Sequence, residues 1–515
     1  MSTASPDTLQ QRCQKIVTSP VLSPEQKRHF LALEAENNLP YPALTSEARL
    51  ALEAGYICDM FEGHAPYKPR YVLPDYAAFL AKGSQWLELE GAQDLDDALS
   101  LLTILYHHVP SVTSMPVFLG HLDTLLQPYV RILTQDEVDN RIKRFWRYLD
   151  RTLPDAFVHA NIGPADGPIT RAILRADADL KQVSPNLTFI YDPAITPDDL
   201  LLEVAKNICE CSKPHIANGP ENDKIFTKNR FGVVSCYNSL PLAGGGSTLV
   251  RLNLKAIAEQ SDGVEDFFTR SLPHYCQQQI AIIDARCDFL YQQSGFFENS
   301  FLVKEGLIEA DRFVPMFGMY GLAEAVNVLC EKAGLSGRYG KDAQANALGY
   351  RISEQLAAFV ENTPVKHGWQ QRAMLHAQSG ISSDIGTTPG ARLPYGDEPD
   401  PISHLLAVAP HHQHYHAGIS DILTLDETVK RNPQAVVQLC LGAFRAGMRE
   451  FSANVAGNDL VRVTGYMVRL SDLEKYRAEG SRTNTTWLGD EAAHNTRILE
   501  RQPRVISHEQ QMRFS

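Results

Sequence analysis

Several segments of the chain repeat apolar residues at intervals of three and four, with polar residues between them, a pattern that predicts amphipathic helices. The clearest examples are residues 95–106 (LDDALSLLTILY) and 137–151. We therefore expect residues 1–150 to form a mostly helical N-terminal region, with prolines between its helices. The same periodicity predicts further helices at residues 274–293, 319–333, 342–361 and 432–448.

Short apolar runs rich in β-branched and aromatic residues alternate with these later helices. Residues 187–191 (LTFIY) predict a strand, after which Thr196 is expected to cap a helix that has Pro197 at its first position. Residues 231–237 and 460–470 predict two more strands. This alternation over residues 151–515 predicts the α/β class, as a large barrel or sheet.

Composition narrows the class of protein. The chain has 515 residues, of which 44% are hydrophobic and 21% charged, as in an ordinary globular protein. Its 48 basic and 61 acidic residues give a net charge of −13. Proteins that bind nucleic acid or anionic membranes normally show the opposite sign over a broad surface, so neither partner is expected.

The cysteines and the N-terminal residues indicate a compartment. Nine cysteines are scattered without the dense, even spacing of a disulfide framework and without any Cys-x-x-Cys pair, which predicts reduced thiols. The first ten residues carry no basic segment followed by an apolar core, and no window is apolar enough to span a bilayer. We expect a soluble, cytoplasmic protein.

The segment NDLVRVTGYMVRL holds the sharpest chemical signal, formed by Arg462, Val463, Gly465 and Tyr466. Glycine in an apolar, strand-like segment is otherwise tolerated mainly at a bulge or a close backbone approach. A radical on a glycine Cα is planar, free of Cβ crowding and delocalised over the amide nitrogen and the carbonyl, so glycine suits it best. The Arg-Val-x-Gly-Tyr pattern resembles the radical-site motif of glycyl radical enzymes, the group that includes pyruvate formate-lyase, the glycerol and diol dehydratases and anaerobic ribonucleotide reductase.

Other segments resemble the same family, in the order in which the family has them. Residues 182–187 (QVSPNL), which include Asn186, resemble the Gln-Pro-Asn strand that opens the family's barrel. Three later segments also match: residues 214–223 (PHIANGPEND), 301–334 and 388–392 (TPGAR). The resemblance covers roughly residues 155–475, and the whole chain is most similar to the YjjI-type branch.

The resemblance implies a fold and a route of activation. The expected fold is a ten-stranded α/β barrel behind the helical N-terminal region, with a cysteine loop at about residues 230–250 and a glycyl radical segment at about residues 455–475. A separate radical-SAM activating enzyme would convert Gly465 to an oxygen-sensitive radical. The chain itself would then bind no permanent cofactor and no metal, act on a small-molecule substrate and form a homodimer.

A glycyl radical enzyme also needs a loop cysteine that gives its S–H hydrogen to the glycyl radical and attacks substrate as a thiyl. Cys236 is the candidate, because it lies in an apolar strand that leads to a turn (RFGVVSCYNSLPLAGGG). A buried, inert cysteine is the other interpretation of this position. The family resemblance favours the catalytic one.

The sequence departs from the family's better-known members around Cys236. The second cysteine of pyruvate formate-lyase is missing, since Ser235 and Tyr237 flank Cys236. The Cys-x-Glu of the dehydratases is replaced by Cys-Tyr-Asn, and the last cysteine, Cys440, leaves no C-terminal zinc site of the reductase type. Elimination or C–C cleavage of a small hydroxylated metabolite is the leading expectation, and ribonucleotide-type reduction the second.

An acid or base must therefore come from elsewhere in the chain. Histidine is the side chain best suited to proton transfer near neutral pH, and His411, His412, His414 and His416 lie within six residues. In an extended chain, 412, 414 and 416 would share one face. Two weaker candidates are Glu298 and Asp384.

Two other classes of function compete with the radical hypothesis. A metal-dependent hydrolase or oxygenase would use the histidine cluster as ligands. An inactive relative would act as a binding or scaffold protein, indifferent to the loss of Gly465 or Cys236.

Overall fold

The computed structural model describes residues 7–60, 63–111, 116–153, 157–227, 230–377, 384–419, 421–480 and 503. No helix in these ranges is both long and apolar enough to cross a bilayer. The residues that follow Gly465 are described as far as residue 480.

The first 150 residues form helices and also contribute three short strands. The last helix of this region is strongly amphipathic, and Thr134 and Glu137 form a capping box at its start. The helices are α1 (Leu9–Thr18), α2 (Pro24–Asn37), α3 (Ser46–Glu53), α4 (Tyr76–Lys82), α5 (Leu95–Tyr106), α6 (Leu122–Leu126) and α7 (Gln135–Thr152). The strands are β1 (Ile57–Cys58), β2 (Tyr71–Leu73) and β3 (Phe118–His121).

The remaining chain alternates strands and helices, as the sequence predicts. Its strands are β4 (His159–Ile162), β5 (Asn186–Tyr191), β6 (His215–Asn218), β7 (Phe231–Val234), β8 (Asn238–Pro241), β9 (Gly244–Asn253), β10 (Phe313–Tyr320), β11 (Met374–His376), β12 (Ile422–Leu425), β13 (Glu450–Val455), β14 (Leu460–Arg462) and β15 (Met467–Arg469). Its helices are α8 (Pro168–Leu180), α9 (Asp198–Cys211), α10 (Gly219–Asp223), α11 (Leu254–Gln260), α12 (Val264–Asp266), α13 (Leu272–Gln292), α14 (Phe296–Asn299), α15 (Phe301–Lys304), α16 (Leu322–Lys332), α17 (Ala343–Asn362), α18 (Pro401–Val408), α19 (Pro433–Arg445) and α20 (Leu470–Glu479).

Ten strands of the described chain trace one circuit. β9, β10 and β11 are parallel neighbours, and a parallel bridge between Ala377 and Ile419 leads from β11 towards β12. β12 pairs in parallel with β13, which pairs antiparallel with β6; β6, β5, β4 and β3 are again parallel neighbours. β2 pairs antiparallel with β9 and lies beside β3. The α/β barrel expected from the sequence is confirmed.

Two antiparallel hairpins stand apart from this circuit, and each pairs only with itself within the described chain. The cysteine hairpin joins β7 to β8, and the glycine hairpin joins β14 to β15. β7 lies against β3 and β4, and β14 lies against β13. The barrel strands therefore position both hairpins.

Some sequence-based boundaries were wrong, each for a local reason. The helix expected at residues 319–333 begins at Leu322, because the preceding apolar run continues strand β10 to Tyr320. Pro197, rather than Thr196, precedes the first turn of α9, while the Thr196 hydroxyl hydrogen bonds to the Pro164 carbonyl. Residues 460–470 form two strands and a turn rather than one strand, so Gly465 lies in the turn.

Candidate active site at the meeting of two hairpins

The tip of the cysteine hairpin has a strained backbone. Ser235 and Tyr237, on either side of Cys236, both have positive φ values, of 50° and 59°. Residues with side chains adopt this left-handed conformation only where the surroundings hold them in it. The tip is therefore a shape imposed by the barrel around it.

Barrel side chains hold this hairpin from several directions. The Asn161 amide of β4 donates to the Val233 carbonyl at 2.7 Å and accepts from the Val233 N–H at 2.8 Å, as a neighbouring strand would. The Tyr71 and Ser235 hydroxyls are 3.3 Å apart. All four side chains are buried, so these bonds are made away from water.

The glycine hairpin is held by the same kind of contact. The Asn454 amide of β13 donates to the Arg462 carbonyl at 3.0 Å and accepts from the Arg462 N–H at 2.8 Å. The Val463 N–H donates to the Tyr466 carbonyl at 3.0 Å and closes the turn. Val463 and Tyr466 are buried in a small apolar cluster with Tyr395.

Gly465 and Cys236 are in direct contact at the centre of the barrel. A Cβ atom placed on Gly465 would lie 1.9 Å from the Cys236 Cα and 2.7 Å from the Ser235 carbonyl oxygen, so no other residue fits there. The Cys236 sulfur is 3.7 Å from the Thr464 hydroxyl. Cys236 is only 6% exposed, which keeps the pair away from solvent.

Asn186 and Arg462 lock the glycine turn onto the barrel. The Asn186 amide donates to the Gly465 carbonyl, and its oxygen accepts from the Arg462 guanidinium at 3.1 Å. A second guanidinium nitrogen of Arg462 donates to the Ser212 carbonyl at 3.0 Å. The structure thus brings together Asn186, Cys236 and all four motif residues singled out in the sequence.

A chain of buried hydrogen bonds, which we call the relay, runs across β13, β6, β5 and β4 to the cysteine hairpin. Glu450 Oε2 lies 2.8 Å from His215 Nε2, His215 Nδ1 lies 2.9 Å from the Thr188 hydroxyl, and that hydroxyl lies 2.5 Å from His159 Nε2. His159 Nδ1 then reaches the Ser235 carbonyl oxygen at 3.3 Å. The relay ends at the residue before Cys236.

The last bond fixes the direction of the others. A carbonyl can only accept, so His159 Nδ1–H donates to Ser235 and a neutral His159 accepts from Thr188. Thr188 in turn accepts from His215 Nδ1–H, which leaves His215 Nε2 to accept from Glu450. Burial lowers the pKa of His159 to about 3, lowers that of His215 well below its ordinary value and raises that of Glu450 well above its own. A protonated Glu450 beside two neutral histidines satisfies both the geometry and the burial.

The histidine cluster lies elsewhere and does not have the predicted alternation. Residues 409–413 form a 3₁₀ helix, and the His414 N–H donates to the His411 carbonyl, so this segment is not an extended chain. His411 contacts the Ser353 hydroxyl at 2.7 Å and the Tyr339 hydroxyl at 3.1 Å, and His412 accepts from the Arg449 N–H at 3.1 Å. Both are buried, and burial lowers the pKa of each to about 3.

The other two histidines of the cluster lie nearer the surface. Half-buried His414 lies 3.3 Å from the Tyr350 hydroxyl, and burial lowers its pKa. His416 contacts the Gln413 carbonyl at 3.0 Å, and burial lowers its pKa to about 4. In the ranges described, no three histidine, cysteine or acidic side chains come together as metal ligands would.

Glu298 and Asp384, the remaining acid candidates, differ in their surroundings. Glu298 is exposed on α14 and does not face the buried Cys236. Asp384 is buried and receives two hydrogen bonds from Arg251, at 2.7 and 2.9 Å. An ion-paired carboxylate of this kind is a structural partner of the guanidinium.

Several residues of the site escaped the sequence analysis. Five of them lie on barrel strands, where their polar side chains interrupt apolar runs: Asn161, His159, Thr188, His215 and Glu450. Alternating polar residues such as His159 and Asn161 in a strand buried on both faces are the signal that could have revealed them. Their convergence on one hairpin was not visible in the sequence.

Comparison with known proteins agrees with this geometry. A family model described as "Glycyl radical enzyme YjjI-like" matches residues 22–504. A protein of Escherichia coli K12 described as "Uncharacterized protein YjjI" is 86% identical over 515 residues, 100% of both chains.

Two solved structures show the same fold at low sequence identity. The B12-independent glycerol dehydratase from Clostridium butyricum superposes with a TM-score of 0.70 at 12% identity, over 96% of this chain and 88% of that one. The anaerobic ribonucleotide reductase from Thermotoga maritima, solved with dATP and CTP, gives 0.65 at 13% identity, over 91% and 89%.

Proposed function

The chain belongs to the YjjI-like family of glycyl radical enzymes, and from this premise we propose that Gly465 carries the radical and that Cys236 passes it to the substrate. The observation that carries the proposal is the backbone contact between the two residues, 1.9 Å from a notional Gly465 Cβ to the Cys236 Cα. Hydrogen-atom transfer needs the Gly465 Cα and the Cys236 sulfur close together, because the hydrogen atom moves directly between them.

The substrate we propose is a small hydroxylated metabolite, and the reaction an elimination. The Gly465 radical takes the hydrogen atom of the Cys236 S–H, and the resulting thiyl takes a hydrogen atom from a substrate C–H bond. The hydroxyl on the radical carbon gives its proton to the hydroxyl on the next carbon, which leaves as water, and the product radical takes a hydrogen atom from the Cys236 S–H. The Cys236 thiyl that results takes a hydrogen atom from the Gly465 Cα. The cycle is redox-neutral and regenerates the Gly465 radical. C–C cleavage of such a metabolite begins with the same two transfers.

The site itself supports this chemistry in two ways. Cys236 and Gly465 are buried, so the barrel keeps water and oxygen from the radical intermediates. The position two residues after Cys236 is Asn238 rather than an acid, which agrees with a proton transfer between the two substrate hydroxyls that does not use a Cys-x-Glu base.

Activation requires a partner, for which we propose a radical-SAM activating enzyme. Gly465 is buried, so the glycine hairpin must leave the barrel before another protein can reach its Cα. Its two strands pair with each other and not with a barrel strand in the described chain, which makes such a movement less costly. We further propose a cytoplasmic homodimer that holds no permanent cofactor besides the radical.

Electron paramagnetic resonance of the anaerobically activated full chain tests the proposal. We expect a doublet, split by the remaining α-hydrogen of the glycyl radical, which collapses when the protein is made with α-deuterated glycine. Cleavage of the backbone at Gly465 after exposure to air, seen by mass spectrometry, places the radical. The Cys236→Ala variant should keep the doublet and lose turnover.

Other outcomes have defined meanings. Without a doublet, from an activating enzyme shown to be competent on another substrate protein, the chain is an inactive relative. A doublet with consumption of CTP but not of glycerol or 1,2-propanediol identifies ribonucleotide-type reduction, the second candidate. That candidate is favoured by the single loop cysteine, which has neither a neighbouring cysteine nor a nearby acid.

A further inference from the structure

His376, at the end of β11, is buried without a hydrogen-bond partner. It is 1% exposed, and neither ring nitrogen has a partner within the part of the chain that the structure describes. Burying a polar atom without a hydrogen-bond partner costs free energy, so in native proteins such an atom usually bonds to a ligand or an ordered water. His376 is not one of the residues of the cysteine hairpin, the glycine hairpin or the relay.

The strand register shows which way His376 faces. His376 is in register with Gly318 of β10, which is in register with Arg251 of β9. On β9, Thr248 faces α13, where Arg286 donates to its hydroxyl at 3.2 Å. Arg251 lies an odd number of residues further along the strand and so faces away from α13, and His376 shares that face.

That face of the sheet leads to the cysteine hairpin. A Cβ atom on Gly418 would lie 3.3 Å from the His376 Cδ2, 2.7 Å from the Tyr237 carbonyl oxygen and 3.2 Å from the Asn238 Cα. Gly418 therefore lies between the His376 ring and the backbone of Tyr237 and Asn238, which follow Cys236 in the chain. The buried Asn238 Oδ1 and Ser239 Oγ also lack hydrogen-bond partners in the described ranges.

The charges around His376 determine its form. Burial, together with the cations of Arg70 and Arg251, lowers the pKa of His376 to about 3. At neutral pH the ring is therefore uncharged, with one N–H donor and one nitrogen acceptor. A hydroxyl group offers the complementary acceptor and donor.

We propose that His376 hydrogen bonds a hydroxyl group of the substrate and holds the substrate beside Cys236, with Asn238 and Ser239 as the adjoining polar wall. The inference rests on the proposed function, since it takes the substrate to be a small hydroxylated metabolite. It assigns a binding residue on β11, a strand that contributes no residue to the relay. It involves no bond making or breaking by His376 itself.

The test uses the full chain without its radical. Protein labelled with ¹⁵N-histidine is titrated with glycerol and with 1,2-propanediol, and the His376 resonances are identified by their absence in His376→Gln. We expect at least one of these two polyols to shift them, and ligand-observed NMR to show that its affinity is about tenfold weaker in His376→Phe. His376→Gln, which keeps a donor and an acceptor, should recover most of that loss.

A matched control separates binding from stability. His411→Gln alters another fully buried histidine, whose two ring nitrogens are already bonded to Ser353 and Tyr339, and should leave the affinity for the polyol unchanged. Unshifted His376 resonances with both polyols, or unchanged affinity in His376→Phe, would overturn the inference. The glycyl doublet is measured separately, so failure of the radical assignment and failure of this inference are told apart.

Discussion

The cysteine and glycine hairpins meet at the centre of the barrel. Each is held by the same kind of anchor, but their backbone conformations differ. In each, a barrel asparagine acts as a substitute strand: Asn161 for Val233 and Asn454 for Arg462. The cysteine hairpin bends through left-handed residues that carry side chains. Gly465 has no such φ, and its glycine is required by the approach of Cys236 instead.

The two hairpins also differ in whether their supports can titrate. The cysteine hairpin rests on the relay, which contains two histidines and a glutamic acid. The glycine hairpin rests on two asparagines, whose side chains do not ionise, and on Arg462. The cysteine hairpin is thus the one whose supports include histidines that can bind protons.

The contact between the hairpins is the first feature to break. In Gly465→Ala the new methyl group meets backbone atoms of Cys236, which cannot rotate away, so we expect the hairpins to separate at a cost of about 3 kcal/mol in the free energy of unfolding. The glycyl doublet should also be absent. Denaturant unfolding measures the loss. Gly263→Ala is the control, since its added Cβ has no neighbour within 4 Å; equal losses in both variants would contradict the contact.

The shared anchor predicts equal losses with different consequences. Asn161→Ala and Asn454→Ala each remove two buried hydrogen bonds, so each should cost about 2 kcal/mol. Asn161→Ala should lower turnover while leaving the yield of the glycyl doublet intact, and Asn454→Ala should lower that yield. Spin quantification beside a turnover assay distinguishes them. The same profile from both variants would show that the hairpins are not held independently.

The difference in titratable supports predicts an effect of pH. The pKa of His159 is about 3 in the fold and 6.5 when unperturbed, so between these values the unfolded chain binds the extra proton. Its stabilising contribution is complete above about pH 6.5 and is lost as the pH falls, by about 1.4 kcal/mol per unit. His159→Gln should lower the slope of unfolding free energy against pH by that amount between about pH 4 and about pH 6. Asn454→Ala removes no titratable group and should keep the slope of the parent chain.

The smallest expected effect sharpens the account of the cysteine hairpin. Tyr71→Phe removes the 3.3 Å contact between the Tyr71 and Ser235 hydroxyls and should cost about 0.5–1 kcal/mol. Thermal unfolding of the two proteins at one pH suffices to measure it. A loss above about 2 kcal/mol would mean that Tyr71, rather than Asn161 and the relay, holds the strained tip.

Local sequence patterns predicted the elements well where one periodicity ran undisturbed. Residues 95–106 form α5 with the expected bounds, and α17 at Ala343–Asn362 differs from its prediction by one residue at each end. The patterns failed where a turn is set by distant contacts, as at Ser235 and Gly465. Nothing near residue 465 in the chain announces that Cys236 lies against it.

The sequence by itself determined the radical motif, the loop cysteine and the alternation of strands and helices, because each depends on neighbouring residues and their intrinsic chemistry. Only the tertiary structure decided that Gly465 touches Cys236, that Glu450 connects through His215 and His159 to Ser235, and that His376 is left without a partner. The contacts of Gly465 with Cys236 and of Glu450 with His215 join residues more than 200 positions apart in the chain. They arise because closing the barrel brings its polar side chains into one buried space, where every donor and acceptor needs a partner.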